Sequence, residues 1–138
     1  MDWEECFKKK IVKEIKKDTE MIKSLIESSK NKLESSNELK MNEVTAVSKF
    51  SLAYDSLREL LEALAIENGY KIYNHECFTS FLKEILNEKE KGNNFDEIRK
   101  IRNDVNYYGK QITIEEAEEI INKIKSLRQE IFNILKSS

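Results

Sequence analysis

The chain reads as an all-α protein, an up-and-down bundle of about five helices. Three observations carry that reading. The 138 residues contain no proline and only three glycines. Hydrophobic residues make up 39% and charged residues 36%, a mixture suited to long amphipathic helices. Apolar residues also recur near the helical period of about 3.6 through almost every segment. The length suits one domain with a single core. No internal repeat, Gly- or Pro-rich linker or shift in composition marks a second domain, so residues 1–138 are read as one unit.

The first stripe, Phe7, Ile11, Ile15, Ile22, Ile26 and Leu33, predicts one long helix from about Trp3 to Leu33. Unbroken, it would run about 45 Å at 1.5 Å per residue, enough for its end to pass the bundle toward a partner or a second copy. Ser35, Ser36 and Asn37 interrupt the pattern. A second helix then carries Val47, Phe50, Tyr54, Leu57, Leu61 and Leu64 to a stop at Asn68 and Gly69. The two should form an antiparallel hairpin. Tyr70 to Tyr73 read as a loop whose tyrosines cover the bundle end, and Asn74 as the cap of a third helix bearing Phe78, Phe81, Leu82, Ile85 and Leu86. Gly92 and Asn93 read as a break. Asn94, with Glu97 three residues on, resembles a capping box that starts the fourth helix, which Gly109 ends. Thr113 with Glu116 opens the fifth in the same way, with Glu115, Glu118 and Glu119 near its positive end. Its buried stripe is Ala117, Ile120, Ile121, Ile124, Leu127, Ile131 and Leu135.

Several function classes are set aside on composition. A formal charge of −2 argues against a broadly basic nucleic-acid binder and leaves only a local patch. The densest such patch, Lys8, Lys9, Lys10, Lys13, Lys16 and Lys17, reads as a solvated helix face, because aromatic residues are not interleaved for base stacking. Trp3 and Phe7 at that end read as packing into the core or against a partner. No apolar run approaches the roughly 20 residues that span a bilayer, so no membrane association is expected. Cys6 and Cys77 lie far apart with no signal peptide before them, which predicts two free thiols in a reducing cytoplasm, Cys77 as a small core residue. One histidine and two cysteines make a metal site improbable, and no cofactor motif is present.

The most informative stretch is Ile98 to Gly109. Phe95, Ile98, Ile101, Val105 and Tyr108 fall on one helical face, Arg102 projects between Phe95 and Ile98, and Asn106 follows one turn later beside it. A guanidinium at the edge of an apolar stripe is expensive to desolvate unless it meets an anion or several acceptors. Arg102 therefore has two readings. In one it is satisfied within the fold by a carboxylate such as Asp55 or Glu59. In the other it serves a ligand or an interface, and Asn103 and Asn106 share its fate. Arg58 reads as a helix-edge residue with its stem over Tyr54. His75 reads as a partly exposed helix-start residue, or as a base if folding brings it to Arg102.

The segment Ser51 to Leu64, with Ile98 to Gly109, resembles the second core helix and the motif helix of the HEPN domains, small all-helical bundles found in prokaryotic defence and toxin systems. The likeness extends to helix number and order. In active members an arginine, commonly followed by a polar residue, precedes a histidine on the same helix, and two protomers pair so that both copies converge on an RNA phosphate. The resemblance implies a homodimer and a metal-independent ribonuclease or RNA-binding protein with Arg102, Asn103 and Tyr107 as its catalytic set and Arg102 and Asn106 on RNA. It also allows a noncatalytic interaction module, for instance with a nucleotidyltransferase partner in a toxin–antitoxin or defence system. Tyr107 stands five residues after Arg102, where the resemblance puts the histidine. Imidazole titrates near 6.5 and free tyrosine near 10, so only about one phenol in a thousand would be ionised at pH 7. The missing imidazole favours the interaction module. The tyrosine that a nucleotidyltransferase modifies in toxin-like members falls at Gly109, and neither Tyr107 nor Tyr108 takes that role by position.

Overall fold

One helix, Ala46–Glu67, is apolar on nearly every side, and the rest of the bundle packs around it. Phe50, Tyr54, Leu57, Leu60, Leu61, Leu64 and Ile66 along it are fully buried. The computed structural model describes residues 1–137. Its described residues hold six α-helices: α1 Trp3–Lys8, α2 Thr19–Glu38, α3 Ala46–Glu67, α4 Glu76–Ser80, α5 Lys89–Tyr108 and α6 Ile114–Lys136. Two short strands, β1 Val12–Glu14 and β2 Tyr70–Ile72, and a π-helical turn at Phe81–Ile85 complete them. The all-α bundle expected from periodicity is the observed class.

Helices α2 and α3 form the predicted antiparallel hairpin. Small polar residues make its seam: Ser29 Oγ donates to Ser56 O at 2.6 Å, Ser56 Oγ to Ser29 O at 2.7 Å, and Ser36 Oγ to Lys49 O at 2.8 Å. Arg128 of α6 reaches the same seam, its Nε 2.8 Å from Ser56 Oγ and 3.2 Å from Ser29 Oγ. Beside it the nearly buried Glu59 carboxylate meets Lys32. The fifth predicted helix is found as α6, and its Thr113–Glu116 capping box is formed in both directions.

The single long first helix is not what forms. Lys10 adopts a left-handed backbone, φ 60°, which ends α1 after six residues. The chain then enters β1, which pairs antiparallel with β2 in the register Val12↔Ile72. The Asp18 side chain accepts from Met21 N and caps α2. The apolar residues from Phe7 to Ile15 therefore pack against the core instead of continuing a long helix past it. Trp3 and Phe7 stack edge-on against Tyr70, with Phe81 beneath. The lysines counted as one helix face are divided among a helix end, a turn, a strand and the loop before α2; Lys8 pairs with Glu4 and Lys17 with Glu67.

Cys6 and Cys77 are joined in a disulfide, which overturns the reading of free thiols. Folding α1 back onto α4 brings their Cα atoms to 6.2 Å, although 71 positions separate them in the chain. Both are fully buried, as core residues should be. The inference from free thiols to a reducing compartment loses its premise.

The start of α5 also differs. The helix begins at Lys89, and Gly92 lies inside it rather than breaking it. A Cβ at Gly92 would sit 2.5 Å from Lys83 Cγ and 3.2 Å from Thr79 O, so glycine is there for close approach to the α4 segment. Gly109, with φ 64°, does end α5 as expected.

Candidate functional site

The last three turns of α5 carry Arg99, Arg102, Asn103 and Tyr107 along one edge of the bundle. Phe95, Ile98 and Val105 on the neighbouring face are buried, which fixes the roll of the helix and leaves that edge half-exposed. The segment leading into α4 lies opposite and contributes Tyr73, Asn74, His75 and the first helical residue, Glu76. Together they line an open cleft of about 450 Å³.

Arg102 has no carboxylate within ion-pair distance among the described residues. Asp55 and Glu59, the partners that one of the two readings gave it, lie beside Arg58 instead, which also meets Glu62 at 3.3 Å. Two aromatic rings hold the Arg102 guanidinium, with Tyr54 centred 5.4 Å away and Tyr107 5.5 Å away. Its Nη1 donates to the Tyr107 hydroxyl at 3.2 Å. Arg99, by contrast, is fastened to Asp96 through two donors at 2.8 and 3.2 Å. Burial pushes the Asp96 carboxyl up, but hydrogen bonds from Arg99 and Lys100 outweigh it and hold the group below its ordinary range.

Tyr54 of α3 is the floor beneath this edge. It is fully buried, stacked on Phe95 at 6.2 Å, and its hydroxyl lies 3.0 Å from His75 Nδ1. Folding thus does bring the single histidine to the arginine, through a shared tyrosine. Burial, then the charges of Arg58 and Arg102, push the His75 imidazole down from 6.5 to about 4, so it is neutral near pH 7. Burial likewise raises the Tyr54 phenol well above its usual range, against the opposing pull of Arg102, Arg99 and Arg58.

Of the residues singled out from the sequence, Arg102, Asn103 and Tyr107 come together here. Asn106 does not line the cleft and is exposed, as is Tyr108. Arg99 and Tyr54 were not foreseen as part of the site. Tyr54 sits at a core position of the α3 stripe, and only its hydroxyl distinguishes it from a packing residue. A second cavity, about 150 Å³, lies between α5 and α6 against Ile101, Val105, Ile112 and Ile120, where Lys123 is already bonded to Glu97 at 3.1 Å. Among the described residues no group of three or more His, Cys, Asp or Glu is placed to hold a metal ion, and no helix is long and apolar enough to cross a membrane.

No curated protein and no solved structure matches the chain. The family model of the HEPN domain matches residues 22–135, from the first turn of α2 to the end of α6, with α1 and β1 outside the match. With that match over most of its length, the chain belongs to the HEPN domain family.

Proposed function

We propose that this chain is a dimeric HEPN interaction module whose cleft grips RNA phosphate through Arg102 and does not cut it efficiently. The observation that carries this reading is the arginine without a carboxylate: a half-buried guanidinium stabilised by ring faces keeps donors free for an anion. In this reading Tyr107 occupies the place of the motif histidine, Asn103 supplies an amide donor beside Arg102, and the exposed Asn106 contacts RNA outside the cleft. Pairing with a second copy would set two such clefts together. A role within a defence or toxin–antitoxin system, with a nucleotidyltransferase as partner, is the setting the family resemblance suggests.

The noncatalytic side of the reading rests on the imidazole. His75 in the cleft has one nitrogen engaged by Tyr54 and a pKa near 4, a poor match for a base that must take a hydroxyl proton near pH 7. The ribonuclease alternative would instead require Arg102, Asn103 and Tyr107 to act as catalytic residues. Fluorescence anisotropy with a single-stranded RNA, together with a gel assay in EDTA, separates the two. The module reading expects RNA that is bound and intact, with binding lost in Arg102→Ala; cleavage that disappears in Arg102→Ala would establish the alternative. Light scattering should report a dimer, and a strict monomer at micromolar concentration would remove the paired-cleft part.

A further inference from the structure

We infer that His75 is a neutral hydrogen-bond donor of the cleft, presenting Nε2–H to the anion that Arg102 holds, and that Tyr54 positions both groups. This deepens the reading of the cleft as a phosphodiester site and rests on it.

The tautomer follows from satisfying a buried hydroxyl. Tyr54 is fully buried, and among the described residues His75 Nδ1 is the partner of its hydroxyl. Two arrangements are open. If Nδ1–H donated to the phenol oxygen, the phenol proton would be left in the core without an acceptor, a loss that outweighs the gain of an ordinary hydrogen bond. If the phenol donates to Nδ1, every buried polar atom of the pair is satisfied and the imidazole proton lies on Nε2. The second arrangement is favoured, and the buried phenol keeps its proton to make it. Nε2 has no partner among the described residues, while His75 lines the cleft with Arg102 and Asn103.

Tyr54 acts on both neighbours at once. Its edge fixes the imidazole through the hydroxyl, and its face supports the Arg102 guanidinium at 5.4 Å. Phe95, stacked on the same ring at 6.2 Å, and Phe78, 6.0 Å from Phe95, hold the tyrosine in place. An anion in the cleft would therefore meet a charged fork, an amide and a neutral N–H on a rigid support. A ring nitrogen that already carries its proton donates to phosphate and does not abstract a proton from ribose.

His75 is the sole histidine of the 138 residues, so its nitrogens can be read in this chain without assignment ambiguity. Long-range 1H–15N spectra near pH 7 should show a protonated, pyrrole-like Nε2 and an unprotonated Nδ1, and Tyr54→Phe should collapse that preference into a mixture. Adding inorganic pyrophosphate or a short single-stranded RNA should shift Nε2–H. His75→Ala should weaken RNA binding about tenfold, the effect of losing one hydrogen bond to a charged group. His75→Gln, which restores an N–H near the Nε2 position, should recover most of it. A proton on Nδ1 in the free protein overturns the inference. So does RNA affinity unchanged in His75→Ala while Arg102→Ala loses it, an outcome that leaves the phosphate reading standing. RNA affinity unchanged in Arg102→Ala, or no binding by the unmodified chain, overturns the phosphate reading and the donor role with it.

Discussion

Arg128 and Arg102 occupy half-buried edges of neighbouring helices and meet opposite surroundings. Arg128 points into the α2–α3 seam, where its Nε bonds two serines that also bond each other's backbone. Burial lowers its pKa, and its role there is to tie α6 to the hairpin. Arg102 lies over two aromatic rings, gives one hydrogen bond to an exposed phenol, and opens onto a cleft. Serine hydroxyls accept the donors of a structural arginine, while ring faces stabilise the charge and leave the donors available. The difference separates an arginine that joins helices from one whose remaining donors stay unpaired at an open cleft, although both look alike as charges on an amphipathic stripe.

The outer wall of the cleft offers the largest test of that separation. It is held from the N-terminal side by the Cys6–Cys77 disulfide and by the β1–β2 pair, and the seam is not. Replacing both cysteines, Cys6→Ser with Cys77→Ser, should lower stability in urea unfolding by about 4 kcal/mol, from the chain entropy of the large loop the disulfide closes. Hydrogen exchange in the double variant should lose protection in residues 70–85 before it does around Ser29 and Ser56. Equal loss in both regions would mean that clamp and seam unfold as one unit.

Acid provides the next largest contrast. The folded His75 has a pKa near 4 against 6.5 when unfolded, so between those values the unfolded chain binds the proton more readily. Stability from the neutral, partly buried imidazole is present above about pH 6.5 and is lost as the pH falls toward 4; the full shift corresponds to about 3.4 kcal/mol, which solvent screening of the partly exposed ring reduces to roughly 2 to 3 kcal/mol. Unfolding curves across that range should show the slope, and His75→Gln should flatten it. A slope unchanged in that variant would place the titrating group elsewhere.

The two arginines themselves differ by smaller amounts. Arg128→Met should cost about 1 to 2 kcal/mol of stability, because Ser29 and Ser56 retain their mutual bonds, and should leave RNA affinity alone. Arg102→Ala should cost only about 1 kcal/mol, the scale of its ring contacts, while removing RNA binding. Thermal unfolding and anisotropy on the same two variants would reveal whether stability and binding separate as the two sites do.

Much of the bundle was legible because local rules decide it. The Thr113–Glu116 box, the stop at Gly109 and the α6 stripe are patterns read within one or two turns. What escaped depends on contacts between distant residues. Nothing local announces that Lys10 takes a left-handed backbone, and β1 becomes a strand only because β2 lies beside it. Gly92 looks like a helix breaker until the Lys83 side chain is seen to fill the space above it. For the cleft, Arg102, Asn103 and Tyr107 could be named together in advance because they share one helix. Their setting could not, since Tyr54 comes from α3 and His75 from the start of α4. The reading of Arg102 as paired with Asp55 or Glu59 failed for a local reason: Arg58, on their own helix, lies beside both.

The account stands or falls on what the Arg102 donors hold. Anisotropy of a labelled single-stranded RNA in EDTA, with the unmodified chain and Arg102→Ala side by side and the RNA recovered afterwards on a gel, measures this directly. Binding that weakens at least tenfold in the variant, with intact RNA in every lane, is the expected result. Equal binding by both proteins, or RNA cut only by the unmodified chain, would contradict it.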